Sequence, residues 1–333
     1  MLELTKKLVE AFGPSGFEDE VRELIREEVA PFADEIEVDQ MGNLYALKKG
    51  DGSGLKVLVA GHMDEIGLIA SHITEEGFVR FTNLGYLIPH TLMGARVKFA
   101  DGTLGVISRD KVRFLADATK MPAINQHFID VGASSREDCP IKVGTPGVMW
   151  QPMEVQGSRW IASCHDDRIG CVIGIESLKR LADSPHDVHF VFTVQEEVGT
   201  RGAATAANRI EPDVAIALDV TPASDVIEGY PMQMKLGDGP GIKIKDLGMI
   251  AHQGLVRLMQ QRAEEAEIPW QPEVLLLGST DARAMQIAGP GSAAGAISIP
   301  SRYTHTTSEV VDAEDVENCV RLLVEILSKP IDL

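Results

Sequence analysis

The chain has 333 residues, 44% of them hydrophobic and 24% charged, a balance that excludes a largely disordered protein and suits about two compact domains. Its 31 basic against 50 acidic residues leave a net charge of −19, which argues against nucleic-acid binding because phosphate recognition needs a basic face. No stretch approaches the ~18–20 unbroken apolar residues of a membrane helix, and residues 1–16 lack the apolar core of a secretion signal. The expectation is a cytoplasmic chain with no membrane partner.

The first elements read as helices. Glu18 to Ala30 places Val21, Leu24, Ile25 and Val29 at helical spacing, and Gly13-Pro-Ser-Gly16 separates this segment from an earlier helix. A strand pair is expected around Met41-Gly42-Asn43. A buried strand follows over Lys56–Gly61, which is short, β-branched and bounded by glycine. From Ile69 to Trp160 short alternating runs are broken by turn signals, and Val97–Ile107 reads as a hairpin closed by Asp101-Gly102. Helix and strand then alternate: a helix over Ile169–Leu181, strands over Val188–Val194 and Asp213–Leu218 with an Ala-rich helix between them, a helix over Leu255–Ala266, and strands over Val274–Leu277 and Ala294–Ile299. The end, Asp312–Leu327, carries Val316, Val320, Leu323 and Leu327 on one helical stripe, with Asp312 and Asp315 complementing the helix dipole. The expected fold class is α/β: a three-layer αβα domain with a mixed sheet, residues 1–68 and 161–333, interrupted by an inserted small β-rich, barrel-like domain, residues 69–160.

Five polar groups punctuate this pattern. His62-Met-Asp64 follows the buried strand, and their spacing of two turns both side chains to one face; a ligating His commonly gives its other N–H to an oxygen, and Asp64 is a candidate acceptor. His165-Asp166-Asp167-Arg168 opens a helix, and Glu196-Glu197 follows an apolar strand. Asp219 closes the strand ending at Leu218, and Arg302-Tyr-Thr-His305-Thr-Thr-Ser-Glu309 follows the strand over Ala294–Ile299. Each alone reads more readily as a charged turn or a solvated loop. Together they form a pool of His, Asp and Glu larger than one ion needs, at the carboxyl ends of strands where α/β sheets gather ligands. Such N/O donors favour Zn²⁺, Co²⁺ or Mn²⁺. Cys139, Cys164, Cys171 and Cys319 are scattered, without a Cys-x-x-Cys pair or a partnering base, so neither a disulfide framework, a thiolate zinc site nor a thiol nucleophile is expected.

The ordered set His62-Met-Asp64, Asp166-Asp167-Arg168, Glu196-Glu197, Leu218-Asp219-Val-Thr and His305 resembles the cytosolic dinuclear-metal aminopeptidases of the tetrahedral (TET), deblocking or glutamyl type, some of which have carried the name endoglucanase. Phe128–Ala133, Leu236–Gly241 and Gly278–Ala282 support the resemblance, which runs over nearly the whole chain. It implies two divalent ions per subunit, Zn or Co before Mn. His62 and Asp219 would bind one, Glu197 and His305 the other, with Asp166 bridging and its peptide bond to Asp167 often cis. It also implies that Asp64 orients His62 and that Glu196 is the general base for a metal-bridging hydroxide that removes the first residue of short peptides with a free N-terminus. The inserted domain would mediate dimers, which can build a dodecamer. His165 departs from the family pattern as an extra imidazole beside the bridge and reads as a free or capping residue. Three other readings stay open: an amidase or deacylase on the same ions, an endoglucanase-type glycosidase, whose two carboxyls must face each other ~5–9.5 Å apart across a sugar bond, and a non-enzymatic interaction protein.

Overall fold

A computed structural model of the chain describes residues 1–110, 122–229 and 231–333. Two helices, α1 (Leu2–Val9) and α2 (Asp19–Val29), precede a hairpin of β1 (Glu35–Val38) and β2 (Leu44–Lys48) and the apolar strand β3 (Lys56–His62). Six strands follow: β4 (Gly67–Ile73), β5 (Val79–Leu84), β6 (Arg96–Phe99), β7 (Leu104–Arg109), β8 (His127–Asp130) and β9 (Pro146–Met149). They close into a barrel in the order β4-β5-β8-β7-β6-β9, all antiparallel. Short alternating runs produce this barrel because each strand sends one face, including Leu68, Val97, Phe99, Ile107 and Ile129, into a core separate from that of the main sheet. The part of the expected β region at 111–121 lies outside the described residues.

The chain returns through β10 (Glu154–Gln156) and β11 (Arg159–Ala162) to α3 (His165–Arg180), β12 (Asp187–Thr193), α4 (Arg201–Ile210), β13 (Val214–Pro222), β14 (Gly241–Lys245), α5 (Gln253–Glu265), β15 (Gln271–Val274), α6 (Ala282–Ile287), β16 (Ala293–Ser301), β17 (Glu309–Asp312) and α7 (Ala313–Leu327). Eight strands form a mixed sheet in the order β1-β2-β12-β3-β13-β16-β14-β15. Its centre, β12-β3-β13-β16, is parallel throughout, while β2 and β14 join it antiparallel. These four central strands are almost wholly buried, as expected of strands covered on both faces. α3, α5 and α7 pack against one face, and α4 with α6 against the other, giving three layers. No helix among the described residues is long and apolar enough to cross a membrane.

The structure departs from sequence periodicity in two places. β13 runs on to Pro222, so Asp219 lies within the strand rather than closing it, because backbone pairing with β16 continues from Asp219–Ser298 to Pro222–Ser301. The apolar run 274–277 is not a strand of its own. Pairing with β14 draws Gln271–Val274 into the sheet instead and leaves Leu276 and Leu277 exposed, Leu277 in the wall of a cavity. Asp166 and Asp167, at the start of α3, have non-helical backbone angles, and the peptide bond between them is cis.

α3 crosses β3 so closely that a Cβ on Gly61 would lie 3.0 Å from the Gly170 carbonyl carbon and 3.1 Å from the Cys171 nitrogen. Both are backbone atoms in packed elements and cannot step aside independently. Gly61→Ala is therefore expected to lower stability by ~1–3 kcal/mol, read as a fall in the denaturation midpoint; an unchanged midpoint would show that helix and strand can separate freely.

Candidate metal centre

The parallel centre of the sheet delivers its strand ends to one edge. β3 ends on His62, Glu196 and Glu197 lie just beyond β12, Asp219 lies near the end of β13, and the turn after β16 carries His305. α3 begins over the same edge and contributes Asp166. Two donor sets result, His62–Asp166–Asp219 and Asp166–Glu197–His305, and within each the ligand atoms lie within 4.8 Å of one another. Asp166 belongs to both: its Oδ1 is 3.2 Å from His62 Nε2 and its Oδ2 is 3.2 Å from His305 Nε2. Asp219 Oδ1 stands 4.0 Å from His62 Nε2, and Glu197 Oε1 is 3.3 Å from His305 Nε2. One carboxylate that turns an oxygen to each of two imidazole-containing sets has the geometry of a bridging ligand.

The electrostatics fit cations as well. Burial, reinforced by neighbouring carboxylates, pushes Glu196 and Asp219 well above the ordinary carboxylate range and raises Glu197. Asp166 is held low against its own burial by the imidazoles of His305 and His62. The imidazoles respond in turn: despite burial, the Glu197 and Asp166 carboxylates push His305 up to about 12. The buried Glu197 Oε1 has no aligned hydrogen-bond donor. A buried cluster that must borrow protons to balance its charge suits divalent cations, which supply the missing positive charge to N/O donors.

The surrounding residues hold these donors in place. His62 Nδ1 faces the backbone oxygen of Asp64 at 2.9 Å, with the Asp64 carboxylate further off at 3.5 Å. That carboxylate mainly serves the other strand end. It accepts the backbone N–H of Glu196 at 2.9 Å and of Glu197 at 3.2 Å, and the Ser15 hydroxyl at 2.5 Å. Asp167 accepts the N–H of His62 at 3.1 Å and of Gly170 at 3.0 Å, tying β3 to the first turn of α3. Glu309 accepts N–H groups from Asp166 and His305. Asp281, taking the Thr193 hydroxyl at 2.5 Å, lies buried behind the centre. The supporting contacts of Asp167, Asp281 and Glu309 escaped sequence reasoning. Two of them stand inside segments that carry a donor, yet side chains aimed at backbone N–H groups leave no periodic trace in a sequence.

His165 belongs to neither donor set. It is fully buried, Nε2 lies 3.2 Å from the Trp160 oxygen, and burial lowers its pKa to about 4, so the ring is neutral and braces the turn into α3. The donors open onto a cavity of about 720 Å³, lined on the sheet side by Asp166, Glu196, Glu197, Asp219 and His305 and elsewhere by side chains that include Ile88 and Leu277.

The model of the M42 glutamyl aminopeptidase family matches residues 42–322. The chain belongs to this family. A lysyl aminopeptidase of Pyrococcus furiosus is 36% identical over 344 residues, spanning 99% of this chain and 98% of the relative. Among solved structures, the TET aminopeptidase of a marine-sediment archaeon, Thaumarchaeota archaeon SCGC AB-539-E09, superposes with a TM-score of 0.94 at 36% identity, over 98% of this chain and 96% of that one. The TET1 peptidase of Pyrococcus horikoshii, which can assemble into a tetrahedron or a large octahedral shell, gives a TM-score of 0.89 at 33% identity over 98% and 99% of the two chains. This M42 chain is an aminopeptidase, a hydrolase of peptide N-termini.

Proposed function

We propose that this M42 aminopeptidase works through two divalent cations, Zn²⁺ or Co²⁺ before Mn²⁺. His62 and Asp219 would hold one, Glu197 and His305 the other, and Asp166 both. The observation that carries this reading is Asp166, whose two oxygens each lie 3.2 Å from a different imidazole. Such cations would supply Lewis acidity at these residues, making a water there more acidic and a substrate carbonyl more electrophilic. Glu196, in the cavity wall, takes the proton from the attacking water and returns it to the leaving amine. Asp64 fixes Glu196 and Glu197 through their backbone N–H groups and receives the His62 ring chiefly through its own carbonyl.

A glycosidase needs two carboxyls facing across a sugar bond, whereas here the acids gather around imidazoles, which favours the peptidase reading. The barrel, which has its own core and closes between residues 67 and 149, is proposed as the dimerisation part of an inserted domain spanning 69–160, with dimers able to assemble further into a dodecamer.

The direct test is a panel of aminoacyl amides and short peptides, free and N-acetylated, offered to stripped protein and to protein reloaded with Zn²⁺, Co²⁺ or Mn²⁺. Stripped protein should be inactive, reloading two equivalents should restore activity, and the N-acetylated substrates should stay intact. Full peptide cleavage after exhaustive chelation would refute the metal mechanism, and preferential cleavage of acetylated substrates would move the activity to a deacylase.

A further inference from the structure

We propose that Glu309 is a positioning residue for the second cation position, an inference that rests on the two-cation reading above. Its carboxylate is 1% exposed and divides its oxygens between two metal donors remote in the chain: Oε2 accepts the Asp166 N–H at 2.9 Å, and Oε1 accepts the His305 N–H at 2.7 Å. These are the bridging donor and one of the two donors peculiar to the second set.

Glu309 is itself well anchored. It opens β17, which pairs with β11 so that Glu309 stands opposite Ala162, three residues before His165 starts α3. The segment carrying His305 is an excursion closed at its base by Arg302 and Val310, whose backbones exchange hydrogen bonds of 2.9 and 3.0 Å. Within it Tyr303 and His305 have φ of 62° and 63°, a left-handed conformation that costs a non-glycine residue energy and persists only where the surroundings impose it. At His305 the Glu309 carboxylate supplies that restraint. No Lys or Arg among the described residues lies within ion-pairing distance of Glu309. A buried carboxylate so placed is balanced by the two N–H groups it accepts and by positive charge at the metal positions beyond them. Glu309 belongs to neither donor set and does not line the cavity. It acts through Asp166 and His305.

The experiment is a Co²⁺ titration of metal-free protein, read by visible absorption and by bound metal after equilibrium dialysis, for the parent chain, Glu309→Ala and Glu309→Gln. The parent should take up two equivalents. Glu309→Ala should bind the second at least tenfold more weakly and with an altered spectrum, while the first is affected less. Glu309→Gln, whose amide must turn an –NH₂ toward one of the two N–H groups, should fall between. A folded Glu309→Ala protein that takes up both equivalents as tightly as the parent overturns the proposal and leaves the two-cation reading standing; a parent chain with no second equivalent refutes that reading and the proposal together. Should the alanine variant not fold, Glu309→Asp, which keeps the charge but is too short to span both N–H groups, carries the same two outcomes.

Discussion

Glu196→Gln should leave two cations bound and reduce peptide hydrolysis by ~10²–10⁴-fold, the range that removal of a positioned general base commands. The amide has the shape of the carboxylate and keeps the polar contacts of its own backbone, including the N–H given to Asp64 at 2.9 Å. What it lacks is an oxygen that can take up a proton. Glu196 is suited to that role by place: it lines the cavity, and its Oε2 is 3.9 Å from His62 Nε2. It stands outside both donor sets, so metal content should not follow the loss of rate. Bound metal and kcat measured on one preparation separate the two effects. Undiminished turnover would remove Glu196 from the mechanism, and loss of metal in step with rate would make it a ligand instead.

Arg168→Ala should be among the most destabilising single changes in the chain, costing ~3–5 kcal/mol, as breaking a buried ion pair does. The guanidinium is wholly buried, and all five of its N–H groups are engaged: Nε donates to the Met63 oxygen at 2.6 Å, Nη1 to Leu8 and Ala11, and Nη2 to Gly13 and to the Glu65 carboxylate at 2.9 Å. One side chain thus fastens the N-terminal segment to the loop after β3, two residues from Asp166.

The loss should also depend on pH. Burial, only partly offset by Arg168, raises Glu65 to about 7 from 4.5. The folded chain therefore keeps a proton on Glu65 where the unfolded chain has already lost it, so this group favours folding fully below about pH 4.5 and loses that contribution as pH rises through 7. Arg168 offsets the cost of the ionised form, so its removal should hurt more at pH 8 than at pH 5. Melting of the two proteins at both pH values checks the sign. Equal differences would mean that the arginine stabilises through its carbonyl contacts alone.

Much of this molecule was legible in the chain because its signals are local. Apolar runs marked β3, β12, β13 and β16, alternation with turn signals marked the barrel strands, and the stripe of Val316, Val320, Leu323 and Leu327 marked α7, whose first turn Asp312 caps by accepting the Glu314 N–H. The candidate donors were legible for a related reason: His62, Glu197, Asp219 and His305 lie near or beyond the carboxyl ends of the four parallel strands at the centre of the sheet, and parallel strands end on the same side.

Other features depended on partners remote in sequence. Pairing with β14 chose Gln271–Val274 over the more apolar 274–277, and pairing with β16 carried β13 past Asp219. The duties of Asp64, Asp167 and Glu309 appeared only in three dimensions, since each accepts a backbone N–H from a residue more than 100 positions away. Patterning along a chain records which face a residue shows to the core. It holds no record of which distant backbone group a buried carboxylate will meet, because that is set by how strands and helices pack once they have formed.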